Sequence, residues 1–495
     1  MDLNRVGWCI RILRTGVVAA AICALVDPAP AQEPTAEHLQ FQAGAATSNI
    51  TPWLGVSIAG HMSDRVARHI HDELHVRCLV LDDGNTKLAF AIVDSCMVPR
   101  EIVLDSKQQI EQHVGIPADH VLIAATHTHS APAATSVFQS DPDPDYQRFL
   151  ASRIVDGVRR AANLLRPARI AWASGSVPDQ VFNRRWKLKP EIALTNPFGG
   201  PDKVQMNPPR ASENLLEPAG PTDPEVPFIY VVGQDDAPIA LLANYSLHYV
   251  GGDGPGHVSA DYFGFFADGV AEILGVQKSD PPFVAMLTNG TSGNINNINF
   301  RVPPVEQYTH DGKPYRQMKF VADRVAREIQ STIEKGLQWH DSITLRATAK
   351  DLDLGVRKPT DDEVTAAKEI IAKAGGSEMK TLPEIYARET ALIAGYPDRV
   401  PVTLQAIRIG DLAITAIPCE VFVEIGLDLK RTSPLKPTFT IELANGYNGY
   451  LPTPEHHALG GYETWRARSS YLETSASEKI VATLSELLDS LAAGG

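Results

Sequence analysis

Two histidines stand one residue apart, His127 and His129, in the stretch VLIAATHTHSAPAA. Side chains at i and i+2 of an extended segment project in the same general direction, and the apolar run before them reads as a short strand that aims them. Imidazoles so placed serve as metal ligands or proton carriers, and they also occur as plain surface or supporting histidines. His248 in ANYSLHYVGG repeats the arrangement, an imidazole where an apolar strand gives way to a loop. Its bland alternative is a hydrogen-bonded core histidine. Glu420 in AITAIPCEVFVEIG follows an apolar strand and a proline and stands at the opening of a helix. It is either a cap on that helix, worth about 0.5–2 kcal/mol, or a carboxylate ligand offered from a strand end. Ser292 in NGTSGNINNINF lies in a Gly/Asn-rich turn of the kind that presents backbone amides to a ligand. The turn is not a G-x-S-x-G elbow, and no Ser-His-Asp set accompanies it. The overlapping Asn289-Gly290-Thr291 is a formal glycosylation sequon of little weight.

The elements that position these residues alternate. KLAFAIVD is a buried strand, REIVLDSKQQIEQHVG an amphipathic helix stopped by Gly115, and HVLIAAT a second strand. DYQRFLASRIVDGVRRAANLL is helical and ARIAWASGSV extended. A polar, Pro/Gly-rich excursion without sustained period runs from Asn183 to Glu225, and long ordered excursions are frequently functional. VPFIYVVG and APIALLANYSLHY form paired strands, YFGFFADGVAEILG a helix, and PFVAMLTNG a buried strand. Tyr315–Gly336 is a long helix, and two helices near 361–374 and 382–394 read as an insertion between strands. VTLQAIRIG and LAITAIP make a hairpin across Gly410-Asp411, followed by the helix VFVEIGLDLKRT, the strand TFTIEL and a closing helix over 475–492. Strands separated by helices of this length predict an α/β core with some parallel pairing.

Composition narrows the classes further. The 495 residues are 44% hydrophobic and 21% charged, a globular balance. The formal charge of −14 comes without a basic run, which excludes a nucleic-acid or anionic-membrane binder. Arg5, Arg11 and Arg14 precede the apolar GVVAAAICALV and the small-residue APAQ, the order of a secretory signal peptide. Residues 1–31 are therefore expected to be removed on export, leaving a chain that starts near Gln32 with no integral membrane span. The remaining Cys78, Cys96 and Cys419 are too few for a disulfide framework.

Segments spread through most of the chain resemble the catalytic domain of the neutral/alkaline ceramidases, zinc-dependent amidases. They are AGAATSNITPWLGVSIAGH, IHDELHVRCLVLDD, ATHTHSAPAA, FNRRW, NYSLHYVGG with VSADYFG, NGTSGNIN, PCEVFVEIG and NGYNGYLPTPEHHALGGYET, in that order. The resemblance implies an α/β fold, a large mixed sheet with flanking helices forming one catalytic domain over residues 32–495. It also implies Zn2+ held by His127, His248, Glu420 and Tyr450. His129 then handles the proton, Arg184 and Tyr462 stabilise the oxyanion, and Ser292 lines or orients the substrate. Arg185 beside Arg184 leaves that register open. The implied reaction is cleavage of ceramide or a similar N-acyl lipid to a fatty acid and an amino alcohol by metal-activated water. A zinc hydrolase of a non-lipid amide or ester, and a catalytically silent exported binding protein, are the alternatives. The chain departs from the family pattern in two places. Gly290 stands where the family turn carries an aspartate, and no counterpart follows Gly495 of the immunoglobulin-like domain found in full-length members.

Overall fold

Eight extended runs form the principal sheet: β1 (Gln42–Asn49), β2 (His75–Asp82), β3 (Lys87–Val93), β4 (Val121–Ala125), β5 (Arg166–Ser176), β6 (Glu225–Gly233), β7 (Pro238–Tyr245) and β8 (Val284–Asn289). Their order across the sheet is β8-β7-β6-β5-β1-β2-β3-β4. The structure is a computed structural model that describes residues 40–307 and 313–493. The expected leader and the expected start near Gln32 lie outside the described residues.

The two outer pairs of the sheet, β7 with β8 and β3 with β4, are parallel. Every pair between them is antiparallel. Parallel neighbours need a crossover. Helix α1 (Arg100–Val114) provides it between β3 and β4. Helix α2 (Pro144–Asn163) then leads from β4 to β5, and α3 (Asp261–Ile273) crosses from β7 to β8. Helix α1 ends at Gly115 in the left-handed conformation, φ 76°, as its sequence predicts. Helix α4 (Arg316–Glu334) follows β8. The mixed α/β architecture is thus as expected. Its antiparallel centre is not visible in the alternation, because a hydrophobic period reveals a strand but not its neighbour.

A second sheet contains β9 (Leu345–Gly355), β10 (Arg399–Ile409), β11 (Leu412–Ile417) and, after the short β12 (Glu420–Val421), β13 (Thr438–Glu442), in the order β9-β10-β11-β13. The strand β14 (Tyr450–Leu451) pairs with β12 alone. Helices α5 (Asp361–Ala374) and α6 (Leu382–Ile393) are inserted between β9 and β10, each opened by a Thr-x-x-Glu capping box. Helices α7 (Val423–Thr432) and α8 (Ala476–Ala493) complete the described chain.

The two sheets stack face to face. Leu122, Ile229 and Leu242 of the first meet Ile407, Ile414 and Phe439 of the second in one apolar layer. On the far face of the first sheet, Val80 and Ile123 pack on Ile110 of α1 and Ile154 of α2. Farther along that face, Leu241 and Leu287 pack on Phe266 of α3 and Val325 of α4. Leu404 and Ala413 of the second sheet cover Leu429 of α7 and Leu484 of α8. Leu122 and Ile123 point to opposite faces with the period of two of a strand, and both faces of β4 are buried. Among the described residues no helix is long and apolar enough to cross a membrane.

Candidate metal centre

The carboxyl ends of β4, β7, β8, β11 and β13 converge, which is where ligands collect in sheets of this kind. Beyond β4, the N–H of Thr126 donates to Val93 O (2.9 Å) and that of His127 to Ser95 O (2.9 Å). His127 itself has φ 72°, a left-handed conformation that non-glycine residues rarely adopt and that costs about 1–3 kcal/mol. Tyr245 and Asn289 end β7 and β8 and face each other in the parallel register. His248 and Ser292, each a short step past them, therefore emerge together. In the second sheet Ile417 pairs with Glu442, and the next ladder pairs Glu420 with Tyr450. Glu420 does not cap the following helix. Helix α7 begins at Val423, its N-cap is Phe422, and no side chain caps it.

The donor set follows from these placements. The Nε2 atoms of His127 and His248 lie 3.0 Å apart. Glu420 Oε2 is 3.3 Å from the first and 3.7 Å from the second. The other nitrogen of each ring rests on a backbone carbonyl, His127 Nδ1 on Cys96 O (2.8 Å) and His248 Nδ1 on Ser292 O (3.2 Å). A carbonyl can only accept, so each Nδ1 carries the hydrogen and each Nε2 turns a lone pair inward. Two lone pairs cannot bond each other. Glu420 Oε2 is buried and takes no hydrogen bond. His127 Nε2, His248 Nε2 and Glu420 Oε2 thus converge, a donor set that could hold a divalent cation, and a carbonyl behind each imidazole is the usual support of a metal ligand.

The electrostatics agree with that reading. Burial, then Arg184 and His127, hold His248 well below the ordinary imidazole value. Burial, then His127 and His61, do the same for His129. At His127 burial also opposes charging, but Cys96 and Glu420 outweigh it and hold its pKa well above the usual value. A buried carboxylate short of cations draws a proton onto the nearest base.

The remaining expected residues surround this core. His129 Nε2 is 3.1 Å from His127 Nε2, and its ring stacks on Tyr249 at 3.7 Å. Arg184 donates from Nη2 to Tyr450 Oη (3.1 Å) and Gly293 O (2.7 Å), and from Nε to Glu463 Oε1 (2.9 Å). Arg185 points elsewhere, to Glu463 Oε2 (2.5 Å) and Gly460 O (2.6 Å), so Arg184 is the arginine that faces the cluster. Tyr462 lies edge-on to Tyr450, ring centres 5.7 Å apart. Burial and then Glu420 raise the pKa of both Tyr450 and Tyr462, keeping them phenols. A cavity of about 310 Å3 opens beside His248 and Arg184, walled in part by Asn207, Tyr249, Asn296 and Gln317.

Several residues of the site have no counterpart in the sequence reading. Tyr447 Oη donates to Glu420 Oε1 (3.0 Å). Glu442, wholly buried at the end of β13, accepts from Ser292 Oγ (2.6 Å) on Oε1, and from the N–H groups of Ser292 (3.1 Å) and Val421 (2.6 Å) on Oε2. Burial pushes its pKa up to about 8 against the pull of these bonds. An acid closing an apolar strand in TFTIEL was the one available signal. The sequon asparagine, Asn289, is fully buried with Oδ1 3.0 Å from Ser292 Oγ, a structural position. Cys78, Cys96 and Cys419 are buried free thiols.

Comparison with known proteins agrees with this architecture. Over 290 residues the chain is 23% identical to Neutral ceramidase A of Dictyostelium discoideum, a match that covers 55% of this chain and 37% of that protein. The chain thus spans little more than a third of the length of that curated relative. Among solved structures, a ceramidase complexed with C2 superimposes with a TM-score of 0.69 at 17% identity, covering 92% of this chain and 75% of the other. The neutral ceramidase from Pseudomonas aeruginosa gives 0.68 at 18%, covering 92% and 74%. At such identities these two establish the shared fold. The model of the neutral/alkaline non-lysosomal ceramidase N-terminal domain matches residues 41–299, a span that holds His127, Arg184, His248 and Ser292, and the chain therefore belongs to that family.

Proposed function

We propose that the chain is an exported zinc-dependent amide hydrolase that cleaves the N-acyl bond of ceramide or a ceramide-like lipid to a fatty acid and an amino alcohol. The observation that carries the metal-dependent reading is the buried convergence of His127 Nε2, His248 Nε2 and Glu420 Oε2, each imidazole held inward by a carbonyl behind it. His127, His248 and Glu420 would hold the ion, and Tyr450, paired with Glu420 across the β12–β14 ladder, would complete the set. Zinc, when bound, supplies Lewis acidity that activates water and polarises an amide carbonyl.

The chain's own groups do the rest. Cys96 O and Ser292 O keep both imidazoles facing inward. His129 receives the proton at Nε2 and returns it to the leaving amine, general base and then general acid. Arg184 and the phenol of Tyr462 meet the developing oxyanion, where one well-placed donor contributes roughly 3 kcal/mol. Ser292 is wholly buried with its hydroxyl committed to Glu442, which favours an orienting role over a nucleophilic one. The polar cavity wall of Asn207, Asn296 and Gln317 favours a second reading, hydrolysis of a hydrophilic amide by the same centre.

The test is metal analysis of purified protein together with turnover of N-acyl amides graded in chain length. The reading expects about one zinc per chain, and a His127→Ala variant that loses both the metal and at least 1,000-fold in kcat/KM. A metal-free wild type whose activity survives the substitution ends it. In an apolar channel each added methylene contributes about 0.8 kcal/mol, so kcat/KM climbs about fourfold per carbon for a lipid substrate and stays flat for a hydrophilic one.

A further inference from the structure

Glu442 touches neither imidazole nor Glu420, yet its carboxylate lies where the two halves of the centre meet. One half belongs to the first sheet. The turn after β8 carries Ser292, whose carbonyl oxygen holds His248 Nδ1 at 3.2 Å. The other half is the short β12–β14 ladder beyond the second sheet, where β12 carries Glu420 and, next to it, Val421. Glu442 Oε2 accepts N–H bonds from both halves at once, from Ser292 and from Val421, while Oε1 takes the Ser292 hydroxyl. One backbone bond, Gly293 N–H to Val421 O (2.8 Å), closes the same junction.

The turn has no room to supply a carboxylate of its own. A Cβ on Gly290 would lie 2.5 Å from Ser246 Oγ and 2.9 Å from Ser246 N, closer than side-chain carbons approach other atoms. The carboxylate therefore arrives from the neighbouring strand. We infer that Glu442 is a positioning residue that sets the separation of His248 from Glu420 by clamping the Ser292 turn to β12. This role rests on the reading of the cluster as a metal centre. It is carried by hydrogen bonds rather than by charge. A glutamine can reproduce them, its oxygen accepting both N–H groups and its amide donating to Ser292 Oγ, which still reaches Asn289 Oδ1 at 3.0 Å. An aspartate, one methylene shorter, cannot span the same donors.

The experiment titrates the chelator-treated protein with zinc and, separately, with cobalt(II), whose visible absorption reports ligand geometry without any turnover. Glu442→Gln is expected to bind zinc within about threefold of wild type and to keep the cobalt spectrum. Glu442→Asp and Glu442→Ala are expected to lose roughly 10–100-fold in zinc affinity, the scale on which groups supporting the ligands act, and to shift the cobalt bands. If these two bind with unchanged affinity and an unchanged spectrum, Glu442 is a structural residue only, whatever their thermal stability. If Glu442→Ala does not fold, Glu442→Asp decides. A wild type that takes up neither metal overturns the metal reading, and the positioning role with it. A wild type that binds, with variants that bind equally, overturns the positioning role alone.

Discussion

Two buried carboxylates, Glu420 and Glu463, lie on either side of Arg184 and Tyr450 and are treated in opposite ways. Glu463 is completely enclosed and completely answered: Arg184 Nε meets one oxygen at 2.9 Å and Arg185 Nη1 the other at 2.5 Å. Burial opposes its ionisation, but Arg185 and Arg184 prevail and hold its pKa below the usual carboxylate value. Glu420 is as deep and receives one phenol on Oε1, while Oε2 faces two imidazole lone pairs. Burial is common to both, so burial alone does not mark a functional acid. The convergence of two imidazole nitrogens on one oxygen of Glu420 does. The two sites are also joined, because the guanidinium that neutralises Glu463 donates to Tyr450 Oη.

Exchanging each acid for its amide separates them most strongly. Glu463→Gln leaves two buried guanidinium groups against a neutral partner, and breaking such a pair costs about 3–5 kcal/mol. A large drop in denaturation midpoint is expected. Glu420→Gln removes a charge that no arginine or lysine among the described residues pairs by hydrogen bond, and whose oxygens face a phenol and two imidazoles. Its chelated form is expected to melt at or above the wild-type temperature while its metal content falls to background. Equal losses of stability in the two variants would remove the distinction.

Chelation is the next largest effect. A ligand present at 100 times its Kd contributes about 2.7 kcal/mol of stability. Removing metal should therefore lower the wild-type melting temperature measurably, with no shift in Glu420→Gln. A wild-type melting curve insensitive to chelator contradicts this.

A smaller effect concerns pH. The folded state keeps a proton on Glu442 up to about 8, against 4.5 for an ordinary glutamate. Between those values the folded state binds more protons than the unfolded one, so stability falls as pH rises through the window. Glu442→Gln, which cannot titrate, should show a flatter dependence of melting temperature from pH 4.5 to 8 than wild type. Parallel curves would place the titration elsewhere.

What could be read in advance follows the physics of each residue. His127 and His248 stood out as candidates because each follows an apolar strand and opens a loop, and Glu420 because it follows a strand and a proline, but only the resemblance joined them into one ligand set. Arg184 could not be told from Arg185 by composition, and only the side chains' opposite directions separate them. Glu442 and Glu463 were silent because their meaning lies in partners far along the chain, Ser292 and the arginine pair. Strand β9 escaped notice since charged residues interrupt LRATAKDLDLG, a run that is largely half-exposed. The antiparallel middle of the first sheet was hidden for a related reason, as pairing is a property of two segments.

The stacking of the two sheets has one further consequence. His127 and His248 follow strands of one sheet and Glu420 follows β11 of the other, and what separates those sheets is a single layer of aliphatic and aromatic side chains. That layer is in effect the spacer of a measuring instrument whose jaws are the ligands. On the proposed metal reading, metal affinity becomes a vernier for core packing. A lost methyl deep between the sheets, chemically remote from the centre, registers there as a change in how tightly the jaws close.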